Sequence, residues 1–129
     1  MSDSFVPTKM PMDIKTNWIR ALRSGNYLQG KYRLKTVETD GSTTFCCLGV
    51  LQQCIDGNVE MKYNQLSESY PSSIWLEDHN ISVNSVHADM GNMLFKYNNE
   101  MCSASDLNDT HMLSFKQIAD IVEEQVIGF

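Results

Sequence analysis

The chain has 129 residues and a net charge of −6, which suits one domain with one core and argues against nonspecific binding to DNA or RNA, where positive charge drives affinity. Its 42% hydrophobic content excludes a disordered tail. No apolar run approaches the roughly 18 residues of a membrane helix.

Charge is unevenly spread. Residues 1–35 hold seven Lys and Arg against two Asp, a balance of +5, whereas residues 36–129 hold three Lys against fourteen acids, a balance of −11. Such asymmetry marks either an anion-binding end or two segments that neutralise each other across one fold. The N-terminal MSDSFVPTKMPMD has no basic region ahead of an apolar stretch, so a reducing, cytosolic setting is expected. Residues 1–10 read as a flexible arm, because Pro7 and Pro11 break regular structure. A single globular domain, 11–129, is expected to follow.

The first helix begins near Pro11, with Ile14, Trp18, Ile19 and Leu22 on one stripe and Gly25 as its stop. KYRLKTVE, 31–38, alternates Tyr32, Leu34 and Thr36 against Lys31, Arg33 and Lys35. Asp40-Gly41 signals a two-residue hairpin turn, and STTF, 42–45, is the return strand. CCLGVLQQCID then reads as a helix, with Cys47, Leu48, Leu51, Cys54 and Ile55 on one face and Gly57 as its stop. Gly49 inside it costs about 1 kcal/mol against Ala, which implies close packing. Val59–Tyr63 fits a short edge strand. Around Pro71 and Trp75 a turn and one helical turn are expected, with Trp75 either core or interface anchor. Ser82 to Asn98 fits a helical stripe through Val83, Val86, Met90, Met93, Leu94 and Tyr97. The last helix is the clearest: Ser114-x-x-Gln117 is a capping box, followed by Phe115, Ile118, Ala119, Val122 and Val126 at helical spacing. The pattern predicts an α+β fold, three to four helices packed on a small antiparallel sheet containing the 31–46 hairpin. Open edges on so small a sheet make a homodimer reasonable.

Three of the four cysteines lie at 46, 47 and 54. Their spacing lacks the C-x₂-C pairing of structural zinc, and no two of His79, His87 and His111 stand at i, i+4, so no metal is expected. Cys46 and Cys54 sit about 12 Å apart along a helix, too far for a disulfide. A catalytic thiol is the sharper idea. Cys46 or Cys47 at a helix N-terminus has the dipole that lowers a thiol pKa. A base such as His79, His87 or His111, oriented by Asn108 or Asp109, would complete a Cys-His-Asx set. The bland alternative is that these thiols pack as small hydrophobes. The same helix start could take up a small anion, with Arg20, Arg23, Lys31, Arg33 and Cys46 as the ligand-binding set. The Gly-rich phosphate loop is missing, and no cofactor is expected.

Three blocks, NWIRALRSGNYLQGKYRL, FCCLGVLQQC and LNDTHMLSFKQIADIVEE, resemble a family of small, mostly uncharacterised proteins of tailed bacteriophages. The likeness covers about half the chain in the same order. Thr110–Leu113 lacks the glycine that the family pattern carries after LND, and Val122 replaces an isoleucine. The central region, 57–105, has no counterpart. The resemblance implies a phage accessory protein in the host bacterial cytoplasm that binds and inhibits a host factor in takeover or counter-defence. It implies a host protein or a nucleotide-type ligand as partner and brings no catalytic residue. It reads LND as a turn into the last helix, with Asn108 and Asp109 bonded to local amides.

Overall fold

A computed structural model describes residues 6–57, 73–83 and 93–129. The chain is α+β. Its elements run β1 (Lys9–Met10), α1 (Met12–Ser24), β2 (Leu28–Gln29), β3 (Lys35–Val37), β4 (Thr43–Phe45), α2 (Cys47–Asp56), α3 (Ser73–Asp78), β5 (Leu94–Tyr97), β6 (Glu100–Ser103), α4 (Ala104–Asp109), α5 (Phe115–Gln125) and β7 (Ile127–Gly128).

Helices α1, α2 and α5 make the frame. Trp18, Ile19 and Leu22 of α1 are buried, as are Phe115, Ile118, Ala119 and Val122 of α5, because each helix turns one apolar stripe inward. Gly25 ends α1 in the left-handed region, φ 78°. Ser114 accepts from the Gln117 amide and the Gln117 side chain accepts from the Ser114 amide, the expected capping box. Lys15 adds a stop from across the core: its Nζ donates to the carbonyls of Glu123 and Val126, where a cation suits the end of α5. Trp18 donates its indole N–H to the Cys47 carbonyl at 2.9 Å, tying α1 to the start of α2.

The sheets are small. β3 and β4 form the expected antiparallel hairpin, with Lys35 opposite Phe45 and Val37 opposite Thr43. Its loop has three residues rather than two. The Glu38 amide donates to the Ser42 carbonyl and the Gly41 amide to the Glu38 carbonyl, which leaves Gly41 at φ 88°. This is a turn that closes on a left-handed glycine. β2 adds to β4 in parallel, so this sheet is mixed. Residues 31–34 stay outside it. Tyr32 takes φ 70° and its amide donates to Asp109 Oδ1, which turns the chain before a strand can start.

The expected arm is, over Thr8–Met10, part of the body. β1 pairs in parallel with β7, and Lys9 exchanges two backbone hydrogen bonds with Ser82. Thr8 and Met10 are buried. Pro7 and Pro11 leave three residues between them, Thr8 to Met10, and all three bond through the backbone, to Ser82 and to the β7 end.

The expected helix over Ser82–Asn98 is a strand where it is described. β5 and β6 form an antiparallel hairpin across Asn98 and Asn99, both at positive φ (52° and 64°). Two successive left-handed residues make the turn that matches strand twist, and asparagine tolerates it. Met93 and Phe95 point inward and Lys96 outward, a period of two. The Gln125 side-chain amide bonds to both the N–H and the C=O of Lys96 and so covers that edge of β5. The short helix near Trp75 is α3. The strand expected over Val59–Tyr63 lies outside the described residues.

Candidate functional site

The junction of β4 and α2 carries the cysteines. Cys46 is the N-cap of α2 and Cys47 its first residue. Both are sealed, at 1% and 0% exposure. The Cys46 thiol is pushed up to about 11, mainly by burial, and the amides of Gly49 and Leu48 at the helix start only partly offset this. Cys47 is also held well above the ordinary thiol range, by burial first. Its Sγ lies 3.5 Å from the Ala104 carbonyl. Asp109 raises both thiols further. Its charge therefore opposes thiolate formation, the reverse of the activation expected of a Cys-His-Asx set.

That set is not assembled among the described residues. Asp109 Oδ1 accepts from the Tyr32 amide and from Asn108 Nδ2. His111 sits 3.4 Å, Nε2 to Sγ, from Cys102 rather than from Cys46 or Cys47. His79 lies 3.8 Å from Asp56 and its ring meets Trp75, whose indole N–H also donates to Asp56. Trp75 is thereby tied to the end of α2. His87 lies outside the described residues.

Of the expected ligand-binding set, Arg23 is already paired and Cys46 is buried. Arg23 on α1 pairs with Asp120 at 2.8 Å and Glu123 at 3.1 Å on α5. Arg20 donates to Asn17 at 3.4 Å. The two arginines share a shallow cleft of about 540 Å³ with Thr16, Ile19, Ser24 and Glu123. A carboxylate in that cleft, held below the usual carboxylate range by Arg23, neutralises the charge an anion would need. Lys31 and Arg33 are exposed in the bend after β2. Cys46 is covered, so the start of α2 offers no open amides beside them.

Asn108 does not serve a turn into α5. It is 1% exposed and stands at the end of α4. Its Nδ2 donates to the Gly30 carbonyl at 2.8 Å, and its Oδ1 accepts from Gln29 Nε2 at 2.9 Å. Gln29 also donates to the Leu113 carbonyl. The LND segment is thus a clamp on residues 29–32, and the expected local amide bonds are replaced by bonds about 80 residues away in sequence.

Two features went unread in the sequence. One is the group formed by Glu100, Cys102 and His111, whose ligand atoms all lie within 4.8 Å of one another. Glu100-x-Cys102 on one strand face is the signal in the sequence, a carboxylate–thiol pair that cysteine and histidine spacing alone does not reveal. The other is an apolar end at the β1–β7 ladder. Met12, Ile127 and Phe129 are 50%, 44% and 67% exposed there. The Met12 amide donates to the Phe129 carbonyl at 2.8 Å, and the Met12 thioether lies against Gly128. Among the described residues no helix is long and apolar enough to cross a membrane.

Residues 10–87 match the model of a domain of unknown function, DUF8296. The match takes in the Trp18 helix and the cysteine helix and stops before the LND segment. No curated protein and no solved structure matches the chain.

Proposed function

The chain belongs to the DUF8296 family, and we propose that it works by binding: a small phage accessory protein that docks on a bacterial host protein in the cytoplasm and inhibits it, without chemistry of its own. One observation carries this reading. The two thiols placed to be nucleophiles are sealed in the core, while Met12, Ile127 and Phe129 stand exposed together on the β1–β7 end. Catalysis needs an accessible thiolate, whereas protein recognition needs apolar and aromatic side chains grouped at a surface. The phage setting and the inhibitory role rest on the sequence resemblance. With Arg23 already paired and Cys46 buried, the nucleotide-type alternative has no comparable support.

The test is expression of tagged protein in a bacterial host, followed by isolation of any complex of defined stoichiometry and assay of the captured protein. The expected result is a complex whose host component loses activity, and a Met12→Ser, Phe129→Ser double variant that folds normally but neither binds nor inhibits. Turnover of a substrate by the purified chain alone, abolished by Cys102→Ser, would overturn the reading. So would a double variant that inhibits as well as the parent.

A further inference from the structure

We propose that Glu100, Cys102 and His111 form a binding site for a zinc-class divalent cation. Each ligand is placed by local structure. Glu100 and Cys102 are two residues apart on β6, so their side chains leave the same face. His111 returns to that face because the chain reverses after α4: its amide donates to the Asp106 carbonyl at 2.9 Å, Met112 takes φ 56°, and the Leu113 amide donates to the Leu107 carbonyl. Tyr97, opposite Glu100 in the hairpin, sets its ring edge-on to the imidazole at 5.0 Å between centroids and steadies it.

The distances suit a small ion. Bonds of about 2.0–2.3 Å in a tetrahedron place ligand atoms about 3.3–3.8 Å apart. Sγ of Cys102 and Nε2 of His111 are already 3.4 Å apart. The Glu100 carboxylate lies within 4.8 Å of both and is exposed on a long side chain, so about 1 Å of movement closes the set. One sulfur, one imidazole nitrogen and one carboxylate oxygen form a borderline donor set that fits zinc and disfavours calcium or magnesium. Three protein ligands leave a fourth position for water or for a partner's side chain.

The charge around the thiol points the same way. Glu100 and Asp106 set two negative charges near the Cys102 sulfur. The same carboxylates favour a dication, which binds the sulfur as the thiol proton passes to water. Asp106 stays in the second rank, since its carboxylate accepts from the Ser103 amide in the cap of α4.

The competing description is a plain thiol–imidazole hydrogen bond with no ion. Titration of chelator-treated protein with Co²⁺ separates the two. The expected result is one bound ion with a thiolate-to-cobalt charge-transfer band, displaced by Zn²⁺. Cys102→Ser should abolish the band and His111→Gln weaken binding by about tenfold or more, while Cys54→Ser leaves both unchanged. A readout on the unaltered protein guards against misfolded variants: Zn²⁺ should shift the ring nitrogen signals of His111 in nitrogen-15 NMR and leave those of His79 in place. No charge-transfer band, a band that survives Cys102→Ser, or an unmoved His111 signal would overturn the proposal.

Discussion

Replacing Gly49 by alanine sets two physical effects against each other. Gly49 lies inside α2, where alanine is better by about 1 kcal/mol on propensity. A Cβ at that position, however, would fall into the carbonyl oxygen of Leu34, 2.7 Å from its carbonyl carbon and 3.1 Å from its Cα. Carbon atoms pack at about 3.5–4.0 Å, so α2 and the Leu34 backbone must part by about 1 Å. Neither wall can yield cheaply. Leu34 is 2% exposed and Cys47 to Leu51 are all buried. Overpacking of this kind costs about 1–3 kcal/mol or more, and displacing the buried Leu34 side chain adds part of its burial energy, about 1.5–3 kcal/mol. After the propensity gain, Gly49→Ala should lose about 2–4 kcal/mol, a fall in Tm of roughly 10 °C for a domain of this size. Gly128→Ala is the comparator. Its Cβ would also meet atoms at 2.7 Å, but they are the sulfur and methyl of Met12, the free end of an exposed side chain that can swing away. That variant should lose less than about 1 kcal/mol. Urea denaturation of the three proteins, with equal m values, measures both numbers. A Gly49→Ala protein as stable as the parent, or two glycine variants of equal cost, would refute the reasoning.

Other perturbations probe the same frame. Asn108→Ala removes the partner of the half-buried Gly30 carbonyl and one of the two acceptors of the Gln29 side-chain amide, and should cost about 1–3 kcal/mol in denaturation experiments. Asn108→Asp should be worse at neutral pH, because a carboxylate cannot donate to Gly30 and would lie beside Asp109. Trp18→Phe removes the indole bond to the Cys47 carbonyl and leaves a small void, a loss of about 2–3 kcal/mol by calorimetry. For Cys46 the folded pKa is raised, to about 11. Its contribution to stability is therefore complete below about pH 8.5, where the unfolded thiol begins to ionise, and is lost as pH rises to about 11. The decline attributable to Cys46 is roughly 2–3 kcal/mol. Denaturation midpoints across that range should fall less steeply in Cys46→Ala than in the parent.

Local pattern was informative wherever an element is long and one-sided. The stripes of α1 and α5, the stops at Gly25 and Gly57, and the Ser114 capping box are present where periodicity puts them, whereas α2 is buried all round from Cys47 to Leu51, with Cys54 and Ile55 of its expected face only half-buried. Gly49 was read as a close-packing glycine, and the Leu34 carbonyl is what it packs against. Short elements were not legible in this way. Over 93–98 the run Met-Leu-Phe-Lys-Tyr-Asn fits either period, and only Asn98 and Asn99, both at positive φ, distinguish a hairpin from a helix. Likewise β1 was invisible, since two residues have no period and its partners are Ser82 and β7.

By itself the sequence determined an α+β domain framed by three amphipathic helices, a hairpin leading into the cysteine helix, and spacings that forbid a Cys46–Cys54 bridge. Those are properties of neighbours within about two turns, where side-chain direction follows from backbone period alone. Tertiary structure decided what each chemical group faces. It buried Cys46 and Cys47, paired Arg23 with α5, turned Asn108 and Asp109 onto residues 29–32, and set His111 beside Cys102. Exposure and a thiol's protonation depend on what packs across from a residue, which for Arg23 and Glu123 lies 100 positions away in the chain, and no local pattern carries that.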